Sequence, residues 1–220
     1  MSVVEALARE VGSVGKVLHK LAPQQWATPT RCPPLTVLQL TAHMARGAVR
    51  IDEMIFAEPV EDEPERDAVT YFQYDAEAEA PMIVARAQEV ADEIGDGSAM
   101  VRFWDERWSR ALRGARETDL SRVGPTVFGT MRVGEYLKTR VLEVTVHHLD
   151  LDDALGHAPH PDPEALEICG DILRGLLGTD LRGAGMDDLR FALTGTGRAP
   201  LNDDERAYLG PLADTFPLLS

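Results

Sequence analysis

The chain has 220 residues, enough at roughly 150 residues per domain for one full domain with a small appendage. Its 37 acidic residues against 22 Lys and Arg leave a formal charge of −15, which argues against the clustered cationic surface that a nucleic-acid backbone needs. With 44% hydrophobic and 27% charged residues the composition is globular, and no apolar run approaches the roughly 20 residues of a membrane span. The opening residues Met1 to Glu10 have neither the basic segment nor the apolar block of a secretory signal. Cys32 and Cys169 are too few for a disulfide framework. These features predict a cytoplasmic protein with two unpaired thiols.

Val3, Val4, Leu7, Val11, Val14, Leu18 and Leu21 recur at three- and four-residue spacing and predict a first helix over 3–22. Pro23, Pro29, Pro33 and Pro34 then remove backbone donors, so 23–34 reads as a connecting loop. Thr36, three residues before Gln39, is a capping-box signature that starts a second helix running to about Phe56. Glu58, Glu61, Asp62, Glu63, Glu65 and Asp67 mark a solvated acidic loop kept extended by like-charge repulsion. Helical spacing resumes from Ala76 to about Arg116, with Gly95-Asp96-Gly97 as a kink or break. Val127 to Val133 reads as a small hairpin arm, and 134–155 as the last long helix. His157, Pro159, His160, Pro161 and Pro163 read as a rigid linker. Beyond it come a helix over 163–177, a glycine-rich turn and a strand at Leu189 to Thr194. The sum predicts a mainly α protein, an antiparallel four-helix bundle over 1–156 with a small α+β unit over 157–220.

The chemistry-bearing segment is Arg140-Val-Leu-Glu-Val-Thr-Val-His-His-Leu-Asp-Leu151. At 100° per residue Glu143 and His147 lie one turn apart on one face, with Arg140 and Asp150 on the same polar stripe. Leu142, Val146 and Leu149 flank that stripe on one side, and Leu137, Val141, Val144 and Leu151 on the other. A surface helix carries one apolar stripe, so two flanks predict a helix buried on most sides with its polar groups directed inward. The competing reading of Glu143 and His147 is an exposed i,i+4 ion pair. His148 projects into the larger apolar face, where a hydrogen-bonded core histidine is expected rather than a ligand. A divalent cation needs a third donor. His157 and His160 sit in the linker and read as exposed, and His19 reads as a cation at a helix C-terminus. His43 lies mid-helix beside Leu40, Met44 and Ile51, with Gly47 leaving space beside its ring, and is the ring able to meet the pair across a bundle.

The stretch Trp26 to His43 together with Tyr136 to Leu151 resembles the mycothiol-dependent maleylpyruvate isomerase family of the DinB-like superfamily. Phe191-Ala-Leu-Thr-Gly-Thr-Gly-Arg-Ala-Pro-Leu and Phe216-Pro-Leu-Leu-Ser resemble the tail of actinobacterial members. The resemblance implies a DinB-like bundle holding zinc or a similar divalent metal through His43, Glu143 and His147, with one coordination position open. It further implies mycothiol as the thiol cofactor and an electrophilic small molecule as partner, in isomerisation or thiol transfer by a monomer or homodimer. Two departures stand out: Pro34-Leu35 replaces the family's usual Gly-Trp, and the acidic loop is idiosyncratic. Asp150 is the candidate acceptor for a ligand imidazole's free N–H, and Arg140 the candidate to pair with Glu143 or orient an anionic substrate. Arg198, after the flexible Thr194-Gly-Thr-Gly turn, is the candidate to bind a substrate carboxylate over the pocket. The alternatives are a metal-binding DinB-like module without turnover and a helical interaction protein whose polar stripe is merely solvated.

Overall fold

A computed structural model describes residues 2–179 and 186–219. Ser2 caps α1 (Val3–Leu18), and the predicted Thr36–Gln39 capping box opens α2 (Val37–Phe56). The helical region after the acidic loop divides into α3 (Ala76–Ile94) and α4 (Gly97–Glu117). The break is at Gly95, whose φ of +89° disfavours any side chain, and the Asp96 carboxylate accepts the Ala99 N–H at 2.9 Å to start α4. β1 (Val123–Thr126) and β2 (Gly129–Arg132) form an antiparallel hairpin that leads directly into α5 (Val133–Leu155).

α1, α2, α4 and α5 make the bundle: α4 and α5 each pack against both α1 and α2. α3, although as long as a bundle helix, lies against the outside of α2. The interior holds Leu7, Leu40, Ile51, Met54, Trp104, Trp108 and Leu137, all essentially inaccessible to water. Each buried Leu, Ile or Met stabilises by about 1.5–3 kcal/mol. No helix among the described residues is long and apolar enough to cross a membrane.

Beyond the bundle, Asp162 caps α6 (Pro163–Leu177), which packs on α1 and α5. The predicted strand Leu189 to Thr194 is instead helical, within α7 (Asp188–Gly195), and α8 (Asp203–Leu209) follows. The C-terminal part therefore shows helices and no strand among the described residues, correcting the expected α+β unit. A short apolar run does not separate strand from helix by period alone. Here the Asp187 side chain accepts the Arg190 N–H at 2.7 Å, a helix cap, and α7 packs on α6 with no strand beside it to pair with. The glycine-rich turn expected before it falls mostly on 180–185, outside the described residues. The acidic loop also differs from its expectation, because its second half is docked on the hairpin. Glu65 and Arg66 donate their N–H groups to the Thr130 carbonyl, the Arg66 guanidinium reaches the carbonyls of Phe128 and Thr70, and Ala68 is buried.

Candidate metal centre and its cleft

α5 contacts α1, α2 and α6, so it is covered on several sides. From Thr139 to Asp152 every residue is buried except Glu143 and His147. The predicted pattern is present: these two are the breach in an otherwise enclosed helix, and His43 of α2 faces them. The Glu143 Oε2 atom lies 3.4 Å from His43 Nε2 and 3.7 Å from His147 Nε2. The two imidazole rings stand edge-on at 85°, with centroids 5.0 Å apart. Donor atoms on a tetrahedral ion with bonds of about 2.0–2.1 Å sit about 3.3 Å from one another, close to these spacings.

The protonation pattern is divided: His43 and Glu143 favour the forms a ligand needs, whereas His147 must first give up a proton. Burial lowers the affinity of His43 for a proton, and the nearby His147 and Arg140 lower it further against the opposing pull of Glu143. Burial would raise the Glu143 carboxyl, but the His43 contact and the Arg140 charge overcome it and keep Glu143 ionised. Burial likewise works against an imidazolium at His147, but the bond to Asp150, the Cys32 contact and the Glu143 charge outweigh it and push His147 up to about 10.

Asp150 organises the far side of His147. Wholly buried, it accepts the His147 Nδ1–H at 2.8 Å, which aims Nε2 toward Glu143 and His43. It also receives both edges of the Arg198 guanidinium, Nε to Oδ1 at 3.0 Å and Nη2 to Oδ2 at 2.7 Å, and the Cys32 thiol at 3.2 Å. Burial would raise Asp150, but His147 and Arg198 hold it well below the usual carboxylate range. Gly197, with φ of +71°, turns the chain so that Arg198 reaches this position, and Arg198 Nη1 donates to the Thr196 carbonyl at 2.7 Å. The structure thus places Arg198 behind His147 rather than over the pocket. Cys32, His147 and Asp150 form a second group of ligand-capable atoms, but an ion there would crowd the guanidinium that already neutralises Asp150.

Arg140 does not take the ion-pair position expected beside Glu143 and instead stands on the wall of a cleft. Its guanidinium lies 4.9 Å from the Tyr136 ring and 5.5 Å from that of Tyr71, forms no ion pair with Glu143 among the described residues, and stays cationic because the surrounding groups outweigh its burial. The space predicted beside Gly47 is taken by the Arg140 stem and the Trp108 ring. Above them opens a cleft of about 110 Å³ lined by His43, Glu143, Tyr71, Tyr74, Arg46 and Arg50, with Arg86 of α3 and Arg140 also on its wall. Four arginines on the wall of one small cleft are notable in a chain of charge −15. The sequence reasoning missed Arg46 and Arg50, although their positions three and seven residues after His43 place them on its helix face. Arg86 carried no signal, since only the outward packing of α3 brings it to the wall.

The family model described as the mycothiol maleylpyruvate isomerase N-terminal domain matches residues 7–152, more than half of the chain. The chain belongs to that family. The matched region spans the bundle, including α5 up to Asp152, and so contains His43, Glu143, His147 and Asp150. Arg198 comes from beyond it. Neither a curated protein nor a solved structure matches the chain. As a mycothiol maleylpyruvate isomerase-type domain the bundle positions one ring on α2 and an i,i+4 pair on α5, and in this member a C-terminal guanidinium anchors the Asp150 carboxylate behind them.

Proposed function

We propose that this chain is a divalent-metal-dependent enzyme that uses a low-molecular-weight thiol such as mycothiol on an anionic, electrophilic small molecule. The observation that carries the reading is that Glu143 and His147 alone break the burial of α5 between Thr139 and Asp152, with His43 Nε2 at 3.4 Å from the Glu143 carboxylate. Two imidazoles and a carboxylate suit zinc or a neighbouring divalent ion. A divalent ion held by three such side chains keeps a coordination position open and favours the thiolate form of a bound thiol.

The chain's own residues supply the rest. Asp150 keeps the His147 ring in one tautomer and orientation, and Arg198 holds Asp150 in place. Arg46, Arg50, Arg86 and Arg140 give the cleft a cationic wall suited to carboxylates. Tyr74 and Tyr136, both pushed up to about 12 by burial, stay neutral. The reaction class is isomerisation of an electron-poor cis double bond by reversible thiol addition, or transfer of the thiol to an electrophile.

The test is metal analysis of protein purified without a polyhistidine tag, beside His43→Ala and His147→Ala, followed by thiol-consumption and isomerisation assays with an unsaturated dicarboxylate. Loss of cleft metal in both variants together with thiol-dependent turnover supports the proposal. Metal and thiol binding without turnover leaves a metal-binding module instead, and absence of cleft metal in the unaltered chain ends both readings.

A further inference from the structure

His148, adjacent to His147 but turned by about 100° around α5, belongs to a different cluster. Its ring is wholly buried, and Nδ1 lies 2.7 Å from the Glu10 Oε1 atom of α1, itself wholly buried. Glu10 spends its other oxygen on the Asp162 N–H at 2.7 Å. An ionised Glu10 can only accept, so the proton of a neutral His148 sits on Nδ1 and the Nε2 lone pair is bare. That Nε2 atom is buried without a hydrogen-bond partner. It faces Asp152, also fully buried, whose Oδ2 is 4.0 Å away and whose Oδ1 likewise has no hydrogen-bond partner. His160 Nδ1 lies 3.0 Å from that Oδ1 without the alignment of a hydrogen bond to it and 3.2 Å from the Ala158 carbonyl, and the His148 and His160 rings are 4.6 Å apart. His157 Nδ1 lies 3.7 Å from the same oxygen.

Two buried carboxylates in one pocket require positive charge. Among the described residues no lysine or arginine pairs with Glu10 or Asp152, and the side chains that pair with them are histidines. The Asp152 Oδ2 atom accepts the His160 backbone N–H at 3.1 Å, but His148 Nε2 and Asp152 Oδ1 each lack a hydrogen-bond partner, an arrangement that a cation satisfies. His148 Nε2, an Asp152 oxygen and a His160 nitrogen converge to within 4.8 Å of one another. Glu10 behind His148 repeats the carboxylate–histidine support that Asp150 gives His147.

We propose that His148, Asp152 and His160 form a second divalent-metal site, separate from the cleft, which ties α5 to the 157–162 segment and, through Glu10, to α1. An N₂O donor set of this kind takes zinc, nickel or cobalt in preference to calcium or magnesium. The proposal is independent of the catalytic reading.

The test counts ions bound by the full, untagged, metal-stripped chain after equilibrium dialysis against zinc, with cobalt absorption as a second readout. Two ions per chain are expected, falling to one in His160→Ala and to one in His43→Ala, with zinc still raising the Tm of His43→Ala. His160 is half-exposed in a loop, so its replacement does not endanger the core. One ion in the unaltered chain, kept by His160→Ala and lost by His43→Ala, overturns the proposal. One ion lost in His160→Ala and kept in His43→Ala upholds it while removing the cleft site. Asp152→Asn adds a control: an ion retained there but lost in His160→Ala is held by the exposed His157–His160 pair, which also overturns it.

Discussion

Consecutive residues of one helix, His147 and His148, sit in clusters that share a plan and differ in their balance of charge. Each ring has a buried carboxylate behind it, Asp150 or Glu10. At His147 that carboxylate is matched by Arg198, and the ring lies beside Glu143 and His43, which line an arginine-walled cleft. At His148 the carboxylate meets no guanidinium among the described residues, a second carboxylate stands opposite, and the ring is wholly enclosed. The contrast teaches that a 100° step around one helix separates a partly open cluster beside a cleft from one closed within the core.

Removing the shared carboxylate on the open side breaks the comparison most sharply. Asp150→Ala leaves the mostly buried Arg198 guanidinium unpaired, and a loss of about 3–5 kcal/mol in denaturant unfolding is expected. Arg198→Met is milder. It leaves His147 and Asp150 in contact but frees the carboxylate to move, so cleft metal affinity is expected to fall about 10–100-fold, measured by competition with a chelating dye. An unchanged affinity would show that the C-terminal turn is dispensable to the site.

Protonation sharpens the comparison next. With no ion bound, His147 titrates near 10 against an ordinary value of 6.5. Its folded-state value is raised, so its contribution to stability is fully present below about 6.5 and is lost as pH rises through about 10. Metal needs the neutral ring. Between those limits binding at the cleft must expel about one proton per ion from His147, and affinity should climb about tenfold per pH unit. Calorimetry of His160→Ala at pH 7.5 in two buffers of different ionisation heat reads that proton directly, and no proton release would remove the assigned ligand role of His147. The smallest effect is expected from Cys32→Ser. A hydroxyl can replace the thiol on Asp150 at a cost of about 1 kcal/mol or less, with cleft metal unchanged. Loss of that metal would instead place the ion among Cys32, His147 and Asp150.

The legible parts of the molecule were those where a local signal sufficed. The Thr36–Gln39 box, the end of α2 at Phe56 and the span of α6 appear as predicted because caps and apolar period act within a few residues. The two apolar flanks of the 137–151 stripe announced an enclosed helix, and the enclosure spares only Glu143 and His147. The illegible parts depended on packing partners. Leu189 to Thr194 has too few residues for either period to win, and helical α6 beside it decided the outcome. Nothing local in α3 said that it would lie outside the bundle and carry Arg86 to the cleft. The linker histidines His157 and His160 read as merely exposed, yet each turns toward the buried Asp152.

From the amino-acid order alone came the helical class, the face shared by Glu143 and His147, and the charge balance that disfavours a nucleic-acid partner, since period and composition are properties of the chain itself. That Asp150 backs His147 was within reach of the sequence, three residues on; which carboxylate backs His148, and that Asp150 meets a guanidinium and a thiol, was decided only when distant segments came together. His148 found Glu10 and Cys32 found Asp150 across separations of 138 and 118 residues. Such pairings leave no periodic trace, because electrostatic matching in a core depends on distance in space and not on spacing along the backbone.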